Sequence, residues 1–510
     1  MSRSAPPSHR SSSGTGISNA EALFARGKLD AALVAYREVV DRDPEHLEAL
    51  RGLARVLQRV HDVPGAIAAF RRVLALAAHD WEAQNDLGAA LMETGAWDEA
   101  QAAFESARAA APHEPMLAVN LGTLAVRRGS AGDAVAVLSA CLARHPDYAP
   151  AQAGLGFALR ELGRHAEAAA ALERALRIAP HDATVACGLS RVLLEGGRAS
   201  EASVVARAYL RLRPGHAGAL AAETLARIAL GDTASVERLL DYERLIARVE
   251  LTTPEGYPDV SAFNRELAAH VTSHHTLVRS PVSHATKDGL HSGSLLVSPR
   301  GPVAAFERAL HAAVAAYLRA LPGAPDHPFS ISRPRAAFFN VWGVVLERGG
   351  HQTPHIHPSA WLSGVYYPRV PAAISGGQGL ALLPRSWQTR SRSAEETAGQ
   401  RECSGEANAG WMGTGGDARP PEPTPRNRAF GTKSPIPAGD NESVALELEG
   451  SLEFGGVDRP FPGRFAQRTL CVRPREGLLV LFPSYFYHRT IPFEAGGTRV
   501  SIAFDVVPVR

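Results

Sequence analysis

Three sets of residues recur with a step of 34 along the first half of the chain. Pro44, Pro112, Pro146, Pro180 and Pro214 form one set, with Ala78 at the missing position. Gly27, Gly95, Gly129, Gly163, Gly197 and Gly231 form a second, with His61 in the gap. Ala32, Ala66, Ala100, Ala134, Ala168 and Ala202 form the third. Four residues beyond each alanine stands Tyr36, Phe70, Phe104, Leu138, Leu172 or Ala206. A period of this length marks a repeated unit of two elements. Such a unit cannot bury its apolar face alone, so neighbours must stack.

Each unit reads as two helices. "AQAGLGFALRELG" and "HAEAAAALERALRIAP" carry apolar residues at helical spacing, with glycine ending the first helix and proline stopping the second. The small residues of the alanine set let paired helices approach closely. This pattern resembles the tetratricopeptide repeat, and the resemblance spans residues 18–250 as six to seven repeats. The seventh is faint, with Val236 in place of the alanine, as expected of a cap or of helices that dock on the next domain. The resemblance implies an α-solenoid with a concave groove for a protein or peptide partner.

The gross numbers bound the rest. A chain of 510 residues has room for more than one core. A formal net charge of +2 argues against a nucleic-acid protein that relies on a broad basic field. Cys141, Cys187, Cys403 and Cys471 form no CxxC, which suggests neither a disulfide framework nor a thiolate zinc site. No window holds eighteen uncharged apolar residues, so no membrane span is expected. Residues 1–17 lack an apolar signal core and read as a disordered tail rather than a transit peptide. The expected location is cytoplasmic.

Past residue 250 the texture changes. "SAFNRELAAHVTSHH" and "VAAFERALHAAVAAYLRAL" still read as helices, but after Pro334 short β-branched and aromatic runs take over. Their Gly and Pro punctuation suits an antiparallel sandwich or jelly roll. The expected fold class is therefore multidomain α + β: an all-α superhelix, then a β domain over residues 251–510 with flanking helices. Residues 385–440 have few aliphatic side chains and read as a disordered insertion.

Chemistry concentrates in "HQTPHIHPSAWLSGVYYP", residues 351–368. In a strand, residues i and i+2 share a face, so His355 and His357 project side by side and make half of a metal site. His488 follows a Pro-Ser break near the C-terminus. Eleven residues later Arg499 opens "RVSIAFDVV", whose alternation puts Arg499, Ser501, Ala503 and Asp505 on one face. An arginine in an apolar strand is costly to bury unless an anion meets it, and its fork suits a carboxylate.

Trp342, Gly349-Gly350, "HIHPSAWLSGVYYP", "SLEFGG", "FPSYFYH" and "PFEAGGTRVSIAF" together resemble the Fe(II)- and 2-oxoglutarate-dependent oxygenases of the double-stranded β-helix fold. That resemblance implies Fe(II) held by His355, His357 and His488, and Arg499 gripping the distal carboxylate of 2-oxoglutarate with help from Ser501. Tyr366 or Tyr367 would hydrogen-bond the cosubstrate, and alternation lets only one of them face inward. Dioxygen would be the oxidant and ascorbate a supporting reductant. The usual non-haem site has two His and one carboxylate, and His357 stands where the carboxylate is expected. Either three imidazoles bind iron, or Asp505 or Glu347 supplies a carboxylate, or the site prefers zinc or is inactive. His351 is a reserve ligand. The function implied is a hydroxylase acting on a protein or peptide recruited by the repeats. The alternatives are a non-catalytic scaffold with a metal-binding barrel, and a three-His cupin-type dioxygenase without 2-oxoglutarate.

Overall fold

The computed structural model describes residues 10–297, 299–321, 327–375, 380–383, 448–457 and 469–509. The insertion expected at 385–440 lies outside the described residues, as do residues 1–9. The last part of the expected tail differs from expectation, because a helix begins at Arg10.

The 34-residue period becomes seven helix pairs among the described residues. They are α1 (Arg10–Ala25) with α2 (Leu29–Arg42), α3 (Leu47–Arg59) with α4 (Val63–Leu76), α5 (Trp81–Glu93) with α6 (Trp97–Ala110), and α7 (Pro115–Arg127) with α8 (Ala131–Arg144). Then come α9 (Ala149–Glu161) with α10 (His165–Ile178), α11 (Ala183–Glu195) with α12 (Ala199–Leu212), and α13 (Ala217–Leu230) with α14 (Thr233–Leu239). The alanine set is fully buried, and in three of the pairs the residue four beyond it packs on a glycine of the companion helix. A Cβ at Gly88 would stand 2.7 Å from Phe104, one at Gly122 2.9 Å from Leu138, and one at Gly156 2.6 Å from Leu172. This second glycine register lets bulky and bare positions interlock, which is how native packing density is reached.

A short helix α15 (Tyr242–Leu245) leads into β1 (Ala247–Glu250), which already pairs with a strand of the second half. The sheet therefore starts slightly before residue 251. There follow α16 (Val260–Thr272), β2 (Val278–Arg279), β3 (Thr286–Ser294), α17 (Val303–Ala320), α18 (Pro328–Ile331), β4 (Ala337–His355), β5 (Leu362–Arg369) and β6 (Leu380–Leu383). The last strands are β7 (Leu452–Phe454), β8 (Thr469–Val472), β9 (Leu478–Pro483), β10 (His488–Thr490) and β11 (Arg499–Pro508). Every pairing among them is antiparallel, in the order β1-β9-β5-β11-β4-β10-β7-β8-β6, with β3 also on β4 and β2 on β3.

The 19-residue β4 organises this curled sheet. Its first half pairs with β11, from Arg499↔Leu346 to Pro508↔Ala337. Gly349, at φ 78, then breaks the ladder, and the remainder pairs with β10 through His488↔His355. One strand thus carries two successive neighbours on one side, and the curl brings the starts of β10 and β11 round a common interior.

The repeats and the sheet are joined along the first helices of the pairs. Ser294 N donates to Val60 O at 2.9 Å, and Val282 N donates to Glu93 O at 3.2 Å. Arg127 donates to Val282 O at 3.2 Å. Gly293 makes the first of these possible, since a Cβ there would lie 2.6 Å from His61 O. At the far end α13 shares the sheet's core through Ala217, Leu220 and Ala221. The faint seventh repeat is therefore a docking repeat.

Candidate metal centre

His355 ends β4 and His488 begins β10 directly opposite it, so cross-strand pairing sets one imidazole beside the other. His357 lies two residues on, anchored by its backbone N–H to Ser484 O at 3.0 Å. Ring centroids are 4.3 Å apart for His355–His488, and 5.1 Å for both His355–His357 and His357–His488. One ligand atom from each lies within 4.8 Å of the others, the one such group among the described residues.

The outer nitrogens fix the tautomers. His355 Nδ1 lies 2.8 Å from Thr353 O and His488 Nδ1 2.9 Å from Phe486 O. A carbonyl only accepts, so each Nδ1 carries the proton and leaves the Nε2 lone pair for a metal. His357 Nδ1 lies 2.7 Å from Asp505 Oδ1, and its buried Nε2 has no partner among the described residues. Burial, then the neighbouring His357, push His355 down to about 3. Burial and the other two rings hold His488 well below its ordinary value. Both imidazoles are neutral at pH 7, the protonation state a cation requires.

Asp505 and Glu347 resolve differently from a first-sphere role. Asp505 accepts from His357 and from Ser363 Oγ at 2.6 Å, while Ser363 and Ser484 share a 2.8 Å hydroxyl contact. Glu347 is exposed on β4. The carboxylate missing from the triad thus stands one residue back, behind the third histidine. His351 is outside the cluster, with Nδ1 3.1 Å from Gly349 O.

Behind the histidines Arg499 is 1 % exposed, and its Nε and Nη1 have no hydrogen-bond partner among the described residues. Its Cζ sits 4.9 Å from the Tyr367 ring centroid, and the Tyr367 hydroxyl is also buried without a partner among those residues. Burial lowers the arginine's pKa and Tyr367 opposes that shift. Ser501, Tyr367 and Arg499 line one chamber with His355, His357 and His488. Tyr366 faces the other way, against Phe306 at 5.2 Å, with its hydroxyl donating to Asn264 Oδ1 at 2.5 Å. Alternation along β5 separates the two tyrosines, and Tyr367 is the inward one.

These groups fit a divalent metal and a dicarboxylate: three free imidazole lone pairs at one end, and a buried guanidinium with two unpartnered nitrogens, a hydroxyl and a phenol at the other. The chamber itself measures about 20 Å³, little more than one water, so a dicarboxylate must open it. On the other side of His355 and His357 a cleft of about 1010 Å³ runs out between the sheet and the first two repeats.

Sequence reasoning missed that second wall. His61, His284, His291 and Trp342 line the cleft, and Trp342 stacks on His357 at 5.5 Å. The available signal was His61 itself, occupying a node of the glycine set.

A family model described as "Putative 2OG-Fe(II) oxygenase" matches residues 340–409 and 435–505. Two tetratricopeptide-repeat models match residues 18–59 with 119–183, and 59–119 with 159–228. The chain joins tetratricopeptide repeats, over 18–228, to a domain of that oxygenase family, over 340–505. Among solved structures it is similar to the Cut9–Hcn1 hetero-tetramer of the APC/C, at 21% identity and TM-score 0.37, covering 42% of each chain. It is also similar to Pseudomonas aeruginosa pilF, at 19% identity and TM-score 0.34, covering 41% of this chain and 94% of that one. A tetratricopeptide repeat protein from Parabacteroides merdae gives 14% identity and TM-score 0.39, covering 43% and 86%. The chain spans under half the length of the first of these. No curated protein matches. No helix among the described residues is long and apolar enough to cross a membrane.

Proposed function

We propose that this chain is an Fe(II)- and 2-oxoglutarate-dependent hydroxylase whose substrate, a protein or peptide segment, reaches the metal through the cleft between repeats and sheet. One observation carries the reading: Arg499 is buried, its Nε and Nη1 have no hydrogen-bond partner among the described residues, and it shares a chamber with three histidines whose Nδ1 atoms are already engaged. Burying an unpaired guanidinium is expensive, and a carboxylate that takes its fork removes the penalty.

His355, His357 and His488 would hold the iron, and Arg499 with Ser501 would hold the far carboxylate of 2-oxoglutarate. Bound together, the two supply the oxidation of a C–H bond by dioxygen, with decarboxylation of the cosubstrate to succinate. The chain's own part is positional. Asp505 fixes the His357 ring, Trp342 covers its face, and Tyr367 lies along the guanidinium. Neutral imidazoles backed by a single carboxylate leave the metal more positive than a two-His, one-carboxylate set would.

The test is succinate formation by the purified chain with Fe(II), 2-oxoglutarate and ascorbate. Slow turnover should occur, vanish in His355→Ala and His488→Ala, and fall steeply in Arg499→Ala. No turnover in the parent chain would leave the scaffold reading. Turnover of another substrate that ignores both 2-oxoglutarate and Arg499 would favour the cupin reading.

A further inference from the structure

The turn between the two helices of each repeat needs a left-handed residue, and six of the seven use glycine: Gly27 at φ 70, Gly95 at 77, Gly129 at 83, Gly163 at 69, Gly197 at 76 and Gly231 at 71. The remaining turn keeps the conformation with His61 at φ 58. A side chain is uncomfortable there, and glycine is the residue the turn itself favours. The imidazole is therefore not explained by the turn.

Its surroundings explain it. His61 lines the cleft that leads to His355 and His357. From its ring a file of rings crosses from the repeats to the metal centre: His61–His284 at 6.2 Å, His284–His291 at 4.1 Å, His291–Trp342 at 6.0 Å and Trp342–His357 at 5.5 Å. Phe338, 51% exposed, adds apolar surface to the same cleft. The outer end is cationic. Lys28 and Arg59 are exposed there, and Arg300 lies 3.5 Å from Asp30. The cleft's other carboxylate, Asp505, is committed to His357.

We propose that His61 is a specificity-determining residue lent by the repeat domain, and that the cleft takes an acidic, extended segment of another protein. The segment would lie along the ring file with its carboxylates at Lys28 and Arg59. This rests on the hydroxylase reading only for what happens at the metal, since binding in the cleft is measurable without turnover.

The experiment uses the full chain and three fluorescein-labelled octapeptides, octaglutamate, octalysine and a Gly-Ser repeat, followed by fluorescence anisotropy at ~0.15 M salt. Octaglutamate should bind and the other two should not. The double variant Lys28→Glu, Arg59→Glu should weaken it by about tenfold or more, since charge complementarity is reversed. His61→Gly, which restores the residue of the other repeats, should weaken it roughly threefold or more while its Tm holds or rises. Octaglutamate binding no tighter than the Gly-Ser peptide, or equally tight in the charge-reversed chain, overturns the acidic occupant. Undiminished binding in His61→Gly overturns the role of His61. Peptide binding without succinate formation overturns the hydroxylase reading alone and leaves this one standing.

Discussion

On one side of the histidine centre lies a chamber of about 20 Å³, and on the other a cleft of about 1010 Å³. The chamber is made within the sheet domain, by side chains on β4, β5, β7, β9, β10 and β11, fixed by ladder register, and by His357 just past β4. The cleft is made by two domains meeting, with Val60 and His61 of the repeats against Gly293 and Ser294 of β3. A site enclosed by one sheet is suited to an invariant small ligand. A site shared between a sheet and a solenoid changes its walls when either partner changes, which suits selection among larger substrates.

The sharpest way to separate the two sides is to remove the chamber's cation. Arg499→Ala deletes a fork that would make two charge-assisted hydrogen bonds, each worth about 1.5–3 kcal/mol. The affinity of the metal-loaded chain for 2-oxoglutarate, measured by calorimetry, should fall by ~100-fold or more. Metal stoichiometry should stay as in the parent chain. If 2-oxoglutarate binds Arg499→Ala as well as it binds the parent chain, the chamber is not its site.

Asp505 tests the seam between chamber and cleft, since it orients His357 from behind. Asp505→Asn keeps the shape but removes the charge that the His357 Nδ1–H meets, and loss of such a partner typically weakens metal affinity by about 10–100-fold. Competition of Zn(II) against a chromophoric chelator measures this directly. An unchanged affinity would mean that Asp505 acts only on folding. Ser363→Ala should produce a smaller loss, because it touches the carboxylate and not the ring.

The two sides also differ in how far the sequence reveals them. His355, Arg499 and Ser501 can be placed on faces by counting twos along a strand, since period-2 alternation survives folding unchanged, whereas His357 lies past the end of β4 and is held by its own backbone bond to Ser484. Alternation also shows that Tyr366 and Tyr367 must part, but not which turns inward. That depends on α16 and α17, whose Phe263 and Phe306 claim Tyr366. Asp505 is legible as a residue of the right face and not as a partner of His357, because the curl of β4 after Gly349 is a tertiary event. The repeats are legible from their period alone. Their docking on the sheet is not, since residues such as Gly293 and Gly218 report a close approach only once the neighbour is known. A Cβ at Gly218 would come 3.2 Å from Pro358.

Gly293→Ala addresses the cleft's construction without touching its chemistry. The added Cβ would stand 2.6 Å from His61 O and 2.8 Å from Val60 O, both backbone atoms that cannot swing aside. Overpacking of this kind costs about 1–3 kcal/mol, and the seam must widen or the Ser294–Val60 hydrogen bond must lengthen. The unfolding free energy from denaturant titration should drop by that amount, and amide exchange should accelerate at Ser294. Metal stoichiometry should not move. A Gly293→Ala chain as stable as the parent would show that the two domains do not meet as tightly here as the geometry says.

The smallest effect concerns pH, and the cleft's wall rather than the chamber. His291 is 8% exposed, with Nδ1 2.8 Å from Ser292 O, and burial, reinforced by His284, holds its pKa well below the ordinary value of 6.5. His61 across the seam and the neighbouring His284 are lowered as well, also by burial first. The unfolded chain therefore binds more protons than the folded one below pH ~6.5, so stability is complete above that value and declines as pH falls. Urea midpoints of the metal-stripped chain should consequently fall between pH 7 and pH 5, and His291→Gln should recover part of the fall. If the variant loses stability as steeply as the parent chain, the imidazole is already solvated in the folded protein, and the ring file is looser than its 4.1 Å contact with His284 implies.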